Sequence, residues 1–328
     1  MNNQKILVTG GAGYIGSHIV RDLNENNFPV IVYDNLSEGH REAVVDNDFI
    51  HGDINDCNLL DKVFRENSID AVMHFSAYTY VGESVENPEK YYMNNISGTI
   101  NLLSAMLKNN VKNIIFSSTC AIYGHPVYIP IDEVHPSNPI NPYGITKLTV
   151  EKILSDYSKA YGLNFISLRY FNAAGAHPDG SIGENHRIET HLIPLILKTL
   201  TKEKESIQIF GTDYETKDGT CVRDYIHVCD LAQAHRAALE LVLSGAENKY
   251  INLGTGTGYS VMEILSICEK VTGMKIPVIT SGRRQGDPPY LIASNSYAKQ
   301  ALNFHPKFDI YSIVKTAWDW ERNKKYRH

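Results

Sequence analysis

The feature that constrains this chain most lies near its start. There the apolar run Lys5–Thr9 passes directly into Gly10-Gly11-Ala12-Gly13-Tyr14-Ile15-Gly16, and a helical pattern opens near Ser17. Glycines at this spacing let a turn adopt positive φ, let backbone approach a pyrophosphate and let the helix pack close to the strand. The helix N-terminus then presents N–H groups to the phosphates. A glycine triplet alone says little; one that follows a strand and opens a helix is the dinucleotide fingerprint in its required context. Eighteen residues past Gly16 a second run ends Val32-Tyr33-Asp34. A carboxylate there accepts from the adenosine ribose and repels a 2′-phosphate, so NAD is expected rather than NADP. Asp53-Ile54, closing another short run, is a candidate adenine contact.

Short apolar runs without strict alternation recur at Val30–Tyr33, Ala71–Phe75, Asn113–Ser117 and Asn164–Tyr170, as in strands covered on both faces. Ile96, Ile100, Leu103 and Leu107 mark a helix face between two of them. This alternation predicts an α/β chain with a doubly wound parallel sheet. After about Tyr170 the texture changes. Polar segments at Ala176–Arg187, Gly211–Thr220 and Ser281–Pro289 are long connections of the kind that carry binding functions. The expected organisation is an NAD-binding domain over 1–172 and a smaller α/β substrate-binding lobe over 173–328. Chain near 225–255 is expected to return to the first domain, with Lys249–Leu253 rejoining the sheet.

Composition narrows the classes. A hydrophobic fraction of 43% supplies a core without a metal or disulfide staple, and a net charge of −6 disfavours nucleic acid or an anionic membrane as partner. A small, locally basic phosphate pocket stays open. Cys57, Cys120, Cys221, Cys229 and Cys268 form no CxxC pair and no zinc spacing, so no metal is expected and they read as reduced thiols of a cytoplasmic protein. Met1-Asn2-Asn3-Gln4 runs straight into the first strand, so no signal peptide is expected. No run approaches the roughly eighteen apolar residues of a membrane span.

Tyr143 and Lys147, spaced i and i+4, share a helix face. A tyrosine is a poor base at neutral pH, but a neighbouring ammonium and a cationic nicotinamide ring both favour its phenolate. Tyr311 and Lys315 show the same spacing. Context separates the two pairs. A strand ending Phe116-Ser117-Ser118-Thr119 precedes Tyr143 and delivers hydroxyls to the carboxyl edge of the sheet, where ligands bind in open α/β folds; Tyr311 has no such strand.

With the glycine turn, the Ser-Ser-Thr strand end and Tyr143-x-x-x-Lys147 in place, the chain resembles the extended short-chain dehydrogenase/reductase family, whose sheet is of the Rossmann type. Within it, the chain is similar to the bacterial UDP-glucose 4-epimerases along nearly its whole length. The most specific stretches are Arg169–Pro178, Asp218–Val228 and Gly282–Pro288. The resemblance implies an isomerase of galactose metabolism that interconverts UDP-glucose and UDP-galactose. In that chemistry a Tyr143 phenolate takes the O4 proton, hydride passes from C4 to NAD, and a 4-keto sugar rotates before hydride returns to its other face. Thr119 then holds the sugar hydroxyl.

The resemblance further implies NAD contacts at Gly10, Gly13, Tyr14, Ile15, Gly16, Asp34, Asn35, Asp53, Ile54, Phe75, Ser76, Asn94, Ser117, Tyr143, Lys147, Tyr170 and Phe171. One departure is Thr79, where some relatives carry a cofactor-contacting lysine; one NAD contact is expected to loosen. A homodimer is implied through the helix around Tyr92–Leu107 and the one starting at Tyr143.

A UDP ligand needs cations for two phosphates and a flat slot for uracil. Arg223 and Arg284 can pair bidentately with phosphate oxygens, Asp287 can accept from a ribose hydroxyl, and Phe210 can line the uracil slot. Asn172, His191 and Leu192 match family contacts to the nucleotide. Leu291 falls where some epimerases place a tyrosine that excludes N-acetylated sugars, so UDP-N-acetylglucosamine is a candidate second substrate, although Tyr290 is adjacent and a shift of one residue would restore the ring. A sugar-nucleotide 4,6-dehydratase needs an acid and a base just before Tyr123-Gly124, where this chain has Cys120 and Ala121; decarboxylases keep a Glu at the second position. A non-catalytic NAD-sensing regulator on the same fold would have no need of Tyr143, Lys147 and both arginines together.

Overall fold

Runs of Ile, Leu, Val and Met can be covered on both faces, and the chain uses them so. β1 (Ile6–Thr9) and β2 (Val30–Asp34) are buried at every position, β3 (Asp48–His51) has exposed ends, and β4 (Ala71–His74) is again fully buried. β5 (Asn113–Thr119) and β6 (Asn164–Tyr170) expose only their first residues in part. The helices between them are α1 (Tyr14–Glu25), α2 (Cys57–Glu66), the short α3 (Val81–Glu86) and α4 (Pro88–Tyr91), α5 (Thr99–Lys108) and α6 (Pro142–Tyr161). The computed structural model describes residues 4–284 and 286–326; Gln285 of the Gly282–Pro288 stretch and both chain ends lie outside the described residues.

Beyond β6 come β7 (Asn172–Ala174), α7 (Leu192–Leu200), β8 (Ile207–Phe210), β9 (Val222–His227), α8 (Val228–Leu243) and β10 (Lys249–Leu253). The chain continues through β11 (Gly258–Ser260), α9 (Val261–Thr272), β12 (Val278–Ser281), β13 (Tyr290–Leu291), α10 (Ser296–Leu302) and α11 (Ile310–Arg322). The central sheet has seven strands in the order β10-β6-β5-β4-β1-β2-β3. Its β1–β2, β1–β4, β2–β3 and β4–β5 pairs are parallel, and the order reverses direction at β1, as in a doubly wound sheet.

Two compact units emerge, one of Met1–Gly124, Ser137–Arg169 and Ala232–Ile251, the other of His125–Pro136, Tyr170–Leu231 and Asn252–His328. In the first, Leu7, Tyr33, Leu60, Val72, Leu103, Met106 and Ile114 form one core against the sheet. In the second, α7, α9 and α11 pack together through Ile193, Ile196, Ile264, Ile313 and Val314. That unit also holds a small sheet in which β11, β7 and β13 flank β9, and a parallel β8–β12 pair.

The helix predicted from Ile96, Ile100, Leu103 and Leu107 differs in detail. Residues Tyr92–Gly98 wind as a π-helix before α5 begins, and the wider turn shifts the face that follows. Ile100 is exposed and Leu107 only partly covered, while Leu102, Leu103 and Met106 are fully buried.

Candidate active site

Gly10 has φ +71°, and a Cβ there would stand 2.6 Å from the Ser76 nitrogen; a Cβ on Gly16 would stand 2.2 Å from the Gly10 carbonyl oxygen. Both positions therefore exclude a side chain. Gly13 is the N-cap of α1 and supplies no side-chain cap, so the first turn faces outward as bare backbone. Asp34 anchors the turn: its Oδ2 accepts from the Ala12 N–H at 2.9 Å and its Oδ1 from the Leu36 N–H at 2.8 Å. Burial pushes its carboxyl up, and those two backbone donors oppose the shift.

A cavity opens over this turn. Gly10, Gly13, Asp34, Asn35, Ile54, Phe75, Ser76 and Asn94 line it together with Ser37, Glu38, Gly39, Gly52, Ala77 and Tyr78. Eight of the residues expected at NAD are thus brought together, beside a turn whose close backbone approach a Cβ at Gly10 or Gly16 would break. The donors and acceptors fit a dinucleotide: backbone at a helix start for phosphate, a carboxylate for ribose. Asp53 reaches the cavity indirectly, accepting from Asn35 Nδ2 at 2.8 Å. Thr79 is exposed beside Tyr78. Tyr14, Ile15 and Gly16 start α1, next to the lining residues, while Tyr170 and Phe171 are buried in the second unit. Sequence reading missed Ser37–Gly39, Gly52, Ala77 and Tyr78. Gly39 was a usable signal, since a Cβ there would press to 2.9 Å on Ala12 of the glycine turn.

At the carboxyl end of β5, four polar groups converge. The Ala121 N–H donates to Thr119 Oγ1 at 3.1 Å, which leaves the Thr119 hydroxyl able to donate toward Tyr143. Asn141 caps α6 by accepting from the Gly144 N–H at 2.9 Å, and this cap starts the helix that carries both Tyr143 and Lys147. Lys147 Nζ donates to the Ser117 carbonyl at 2.7 Å and sits 6.0 Å from the Tyr143 ring centre. Burial raises the Tyr143 phenol above its usual range, and the Thr119 hydrogen bond only partly offsets this. Burial pushes Lys147 down to about 7, against an upward pull from Glu151. The protein's own groups thus hold the phenol protonated, and the nearby lysine alone does not make it a base. Tyr311 is exposed on α11, and Lys315 pairs with Asp319.

Under this cluster lies a buried ion pair that sequence reading did not find. Arg169 NH2 meets Glu151 Oε2 at 2.7 Å and Arg169 Nε meets Oε1 at 3.0 Å. Ser118 and Ser167 hydroxyls also donate to Glu151, and Arg169 NH1 donates to the Tyr123 hydroxyl at 3.0 Å.

In the second unit, the Arg284 guanidinium stacks 4.6 Å from the Phe210 ring centre, and Asp287 lies 3.6 Å from Arg223 and 3.8 Å from Arg284. Phe210, Arg223, Arg284 and Asp287 are therefore neighbours, as a diphosphate and ribose would require. Leu291 pairs in register with Arg223, and Tyr290 with Val222. Paired residues of adjacent strands project to the same side, so Leu291 shares the face of Arg223 and Tyr290 takes the other. Asn172 on β7 pairs with Tyr225. His191, the N-cap of α7 just before Leu192, engages Glu184 at 2.5 Å instead of the arginines.

Residues 6–254 match the model of the NAD dependent epimerase/dehydratase family. A UDP-glucose 4-epimerase of Halalkalibacterium halodurans is 52% identical over 97% of this chain and 95% of its own length. The crystal structure of UDP-glucose 4-epimerase from Brucella ovis in complex with NAD is 48% identical with a TM-score of 0.94, covering 96% of this chain and 97% of that one. The UDP-Glc/GlcNAc 4-epimerase of Campylobacter jejuni is 41% identical with a TM-score of 0.86, over 98% of this chain and 99% of that one. A family match across three quarters of the sequence, with half-identical relatives end to end, settles the kinship: the chain belongs to the NAD dependent epimerase/dehydratase family.

Proposed function

We propose that this chain is a UDP-glucose 4-epimerase, inverting the C4 hydroxyl of UDP-glucose and UDP-galactose with NAD held in the first unit. The observation that carries this reading is the strand end itself. Tyr143 stands there beside the Thr119 hydroxyl and on one helix with Lys147, with a buried thiol and a methyl, Cys120 and Ala121, where a dehydratase needs its acids. Bound NAD supplies a reversible two-electron acceptor that each turnover restores. Tyr143 takes the O4 proton and gives it back, and the Thr119 hydroxyl stabilises its oxygen when the proton is gone. Lys147, fixed at the Ser117 carbonyl, adds positive charge beside the phenolate. Arg223 and Arg284 hold the diphosphate, with Asp287 at the ribose and Phe210 at uracil; Asn172, His191 and Leu192 complete the nucleotide contacts. Firm purchase on UDP leaves the hexose free to turn. Purified protein given UDP-galactose and no added nucleotide should form UDP-glucose, and denaturing it should release NAD. Release of NADP, or a need for added nucleotide, would contradict the reading.

The same face of β9 and β13 supports a broader substrate range. Leu291 stands beside Arg223 without the bulk of a tyrosine, which favours acceptance of an acetamido group at C2. UDP-N-acetylglucosamine is therefore expected to be epimerised as well. Leu291→Tyr should lower kcat/KM for the acetylated sugar selectively, since overfilling a packed site costs about 1–3 kcal/mol. Equal losses on both sugars would contradict this role.

Tyr92, Met93 and Ile100 ahead of and along α5, and Ile145 on α6, expose apolar side chains on the first unit. They support a homodimer through these two helices. Light scattering at micromolar protein should give twice the chain mass; the monomer mass alone would overturn this arrangement. Among the described residues no helix is long and apolar enough to cross a membrane. The net charge of −6 speaks against nucleic-acid partners, and five cysteines without a CxxC pair support a cytoplasmic protein.

A further inference from the structure

We propose that Glu184, His186, Glu189 and His191 form a site for a tetrahedrally coordinated transition-metal cation of the zinc class, at the approach to α7. One donor atom from each residue lies within 4.8 Å of all the others. An ion bound at about 2.0–2.2 Å in tetrahedral geometry sets its donors roughly 3.3–3.6 Å apart. His186 Nδ1 stands 3.3 Å from Glu184 Oε1 and 3.5 Å from Glu189 Oε2, and His191 Nδ1 stands 3.4 Å from Glu189 Oε1. The two Glu189 oxygens each face one imidazole, so one of them must turn inward, and the 2.5 Å approach of His191 to Glu184 must open by roughly 1 Å to admit an ion.

The donor set selects the metal. Two imidazoles disfavour magnesium and calcium, and the lack of thiolate disfavours soft ions, which leaves zinc and its divalent neighbours. The carboxylates supply the charge balance. The Glu184 and Glu189 side chains are only 6% and 3% exposed and face two imidazoles, so one dication can supply from a single point the charge that two protonated histidines would otherwise provide. Access comes through His191, whose side chain is 53% exposed.

The site is also held in place. Trp320 Nε1 donates to the Glu184 carbonyl at 2.8 Å, and a Cβ on Gly183 would stand 2.5 Å from the same indole ring. The first ligand is thus fixed by α11 and the last by its position as N-cap of α7. His191 is shared with the proposed nucleotide contacts, whereas Glu184, His186 and Glu189 have no part in the epimerase reading.

The test uses the full chain with its NAD, stripped of metal by chelation and titrated with zinc alone against a chromophoric chelator near neutral pH. One equivalent per chain is expected. The double variant His186→Gln/Glu189→Gln should bind roughly 100-fold more weakly or worse, since loss of even an outer-sphere partner costs about 10–100-fold. X-ray absorption on the zinc-loaded wild type requires no variant and should show nitrogen and oxygen neighbours at about 2.0–2.2 Å. Wild-type uptake no tighter than the variant's would overturn the proposal and leave the cluster as histidine–carboxylate ion pairs only. A sulfur neighbour, pointing to a cysteine elsewhere, would overturn it too.

Discussion

Tyr143→Phe is expected to lower kcat on UDP-galactose by roughly 10²-fold or more, the usual scale for a lost proton-transfer group. Its phenol is buried, its ionised form is favoured by the Thr119 hydroxyl, and it is carried on the same α6 face as Lys147. The change removes one oxygen and leaves the ring, so NAD retention should stay near normal. Tyr311→Phe is the control. Tyr311 lies on α11 at 46% exposure, and its i+4 lysine is taken by Asp319, so its loss should leave turnover within a few-fold. Similar losses in both variants would mean that spacing, rather than place in the fold, had been mistaken for chemistry. Because Lys147 is pushed down to about 7 by burial, the pH profile of the ligand-free enzyme should bend near neutrality. Above that pH Lys147 is neutral and no longer favours the phenolate.

The second large effect concerns stability. Glu151→Leu is expected to destabilise the first unit by about 3–5 kcal/mol, the cost of stranding a buried charge. Arg169 would lose both of its carboxylate contacts in a place where its side chain is 7% exposed, with the Tyr123 hydroxyl and the Tyr123 and Tyr250 rings among its remaining neighbours. The double variant Glu151→Leu/Arg169→Leu should recover most of the loss, because an apolar pair of similar bulk carries no charge to desolvate. Urea midpoints of the three proteins decide the matter. A double variant less stable than the single would show that the pair contributes more than its partners' neutralisation. Glu151 also pulls Lys147 upward, so Glu151→Leu should move the bend in the pH profile to lower pH.

What was legible in the sequence was local. The glycine turn, Asp34 and the Tyr143–Lys147 face are set by short spacings along one strand, one turn or one helix, and the structure places each of them on the expected element. β3 was missed because it reads Asp48-Phe49-Ile50-His51, polar at both ends, as suits an edge strand that is not covered on both faces. The helix face through Ile100 slipped because the π turns of Tyr92–Gly98 break the period on which the reading depended. Contacts distant in sequence were illegible altogether. Glu151 and Arg169 are eighteen residues apart on different elements, and nothing in either segment announces the other. The polar stretch Ala176–Arg187 could be marked as a binding connection, yet the convergence of Glu184 and His186 with Glu189 and His191 depends on how the chain enters α7.

The claim at the centre of this account is that the sugar is oxidised at C4 and restored there without leaving the protein. UDP-galactose deuterated at sugar C4, incubated with purified enzyme and no added nucleotide, tests it directly. UDP-glucose should keep its deuterium at C4, undiluted by solvent. Product with the label washed out into water, or no product at all, would contradict it.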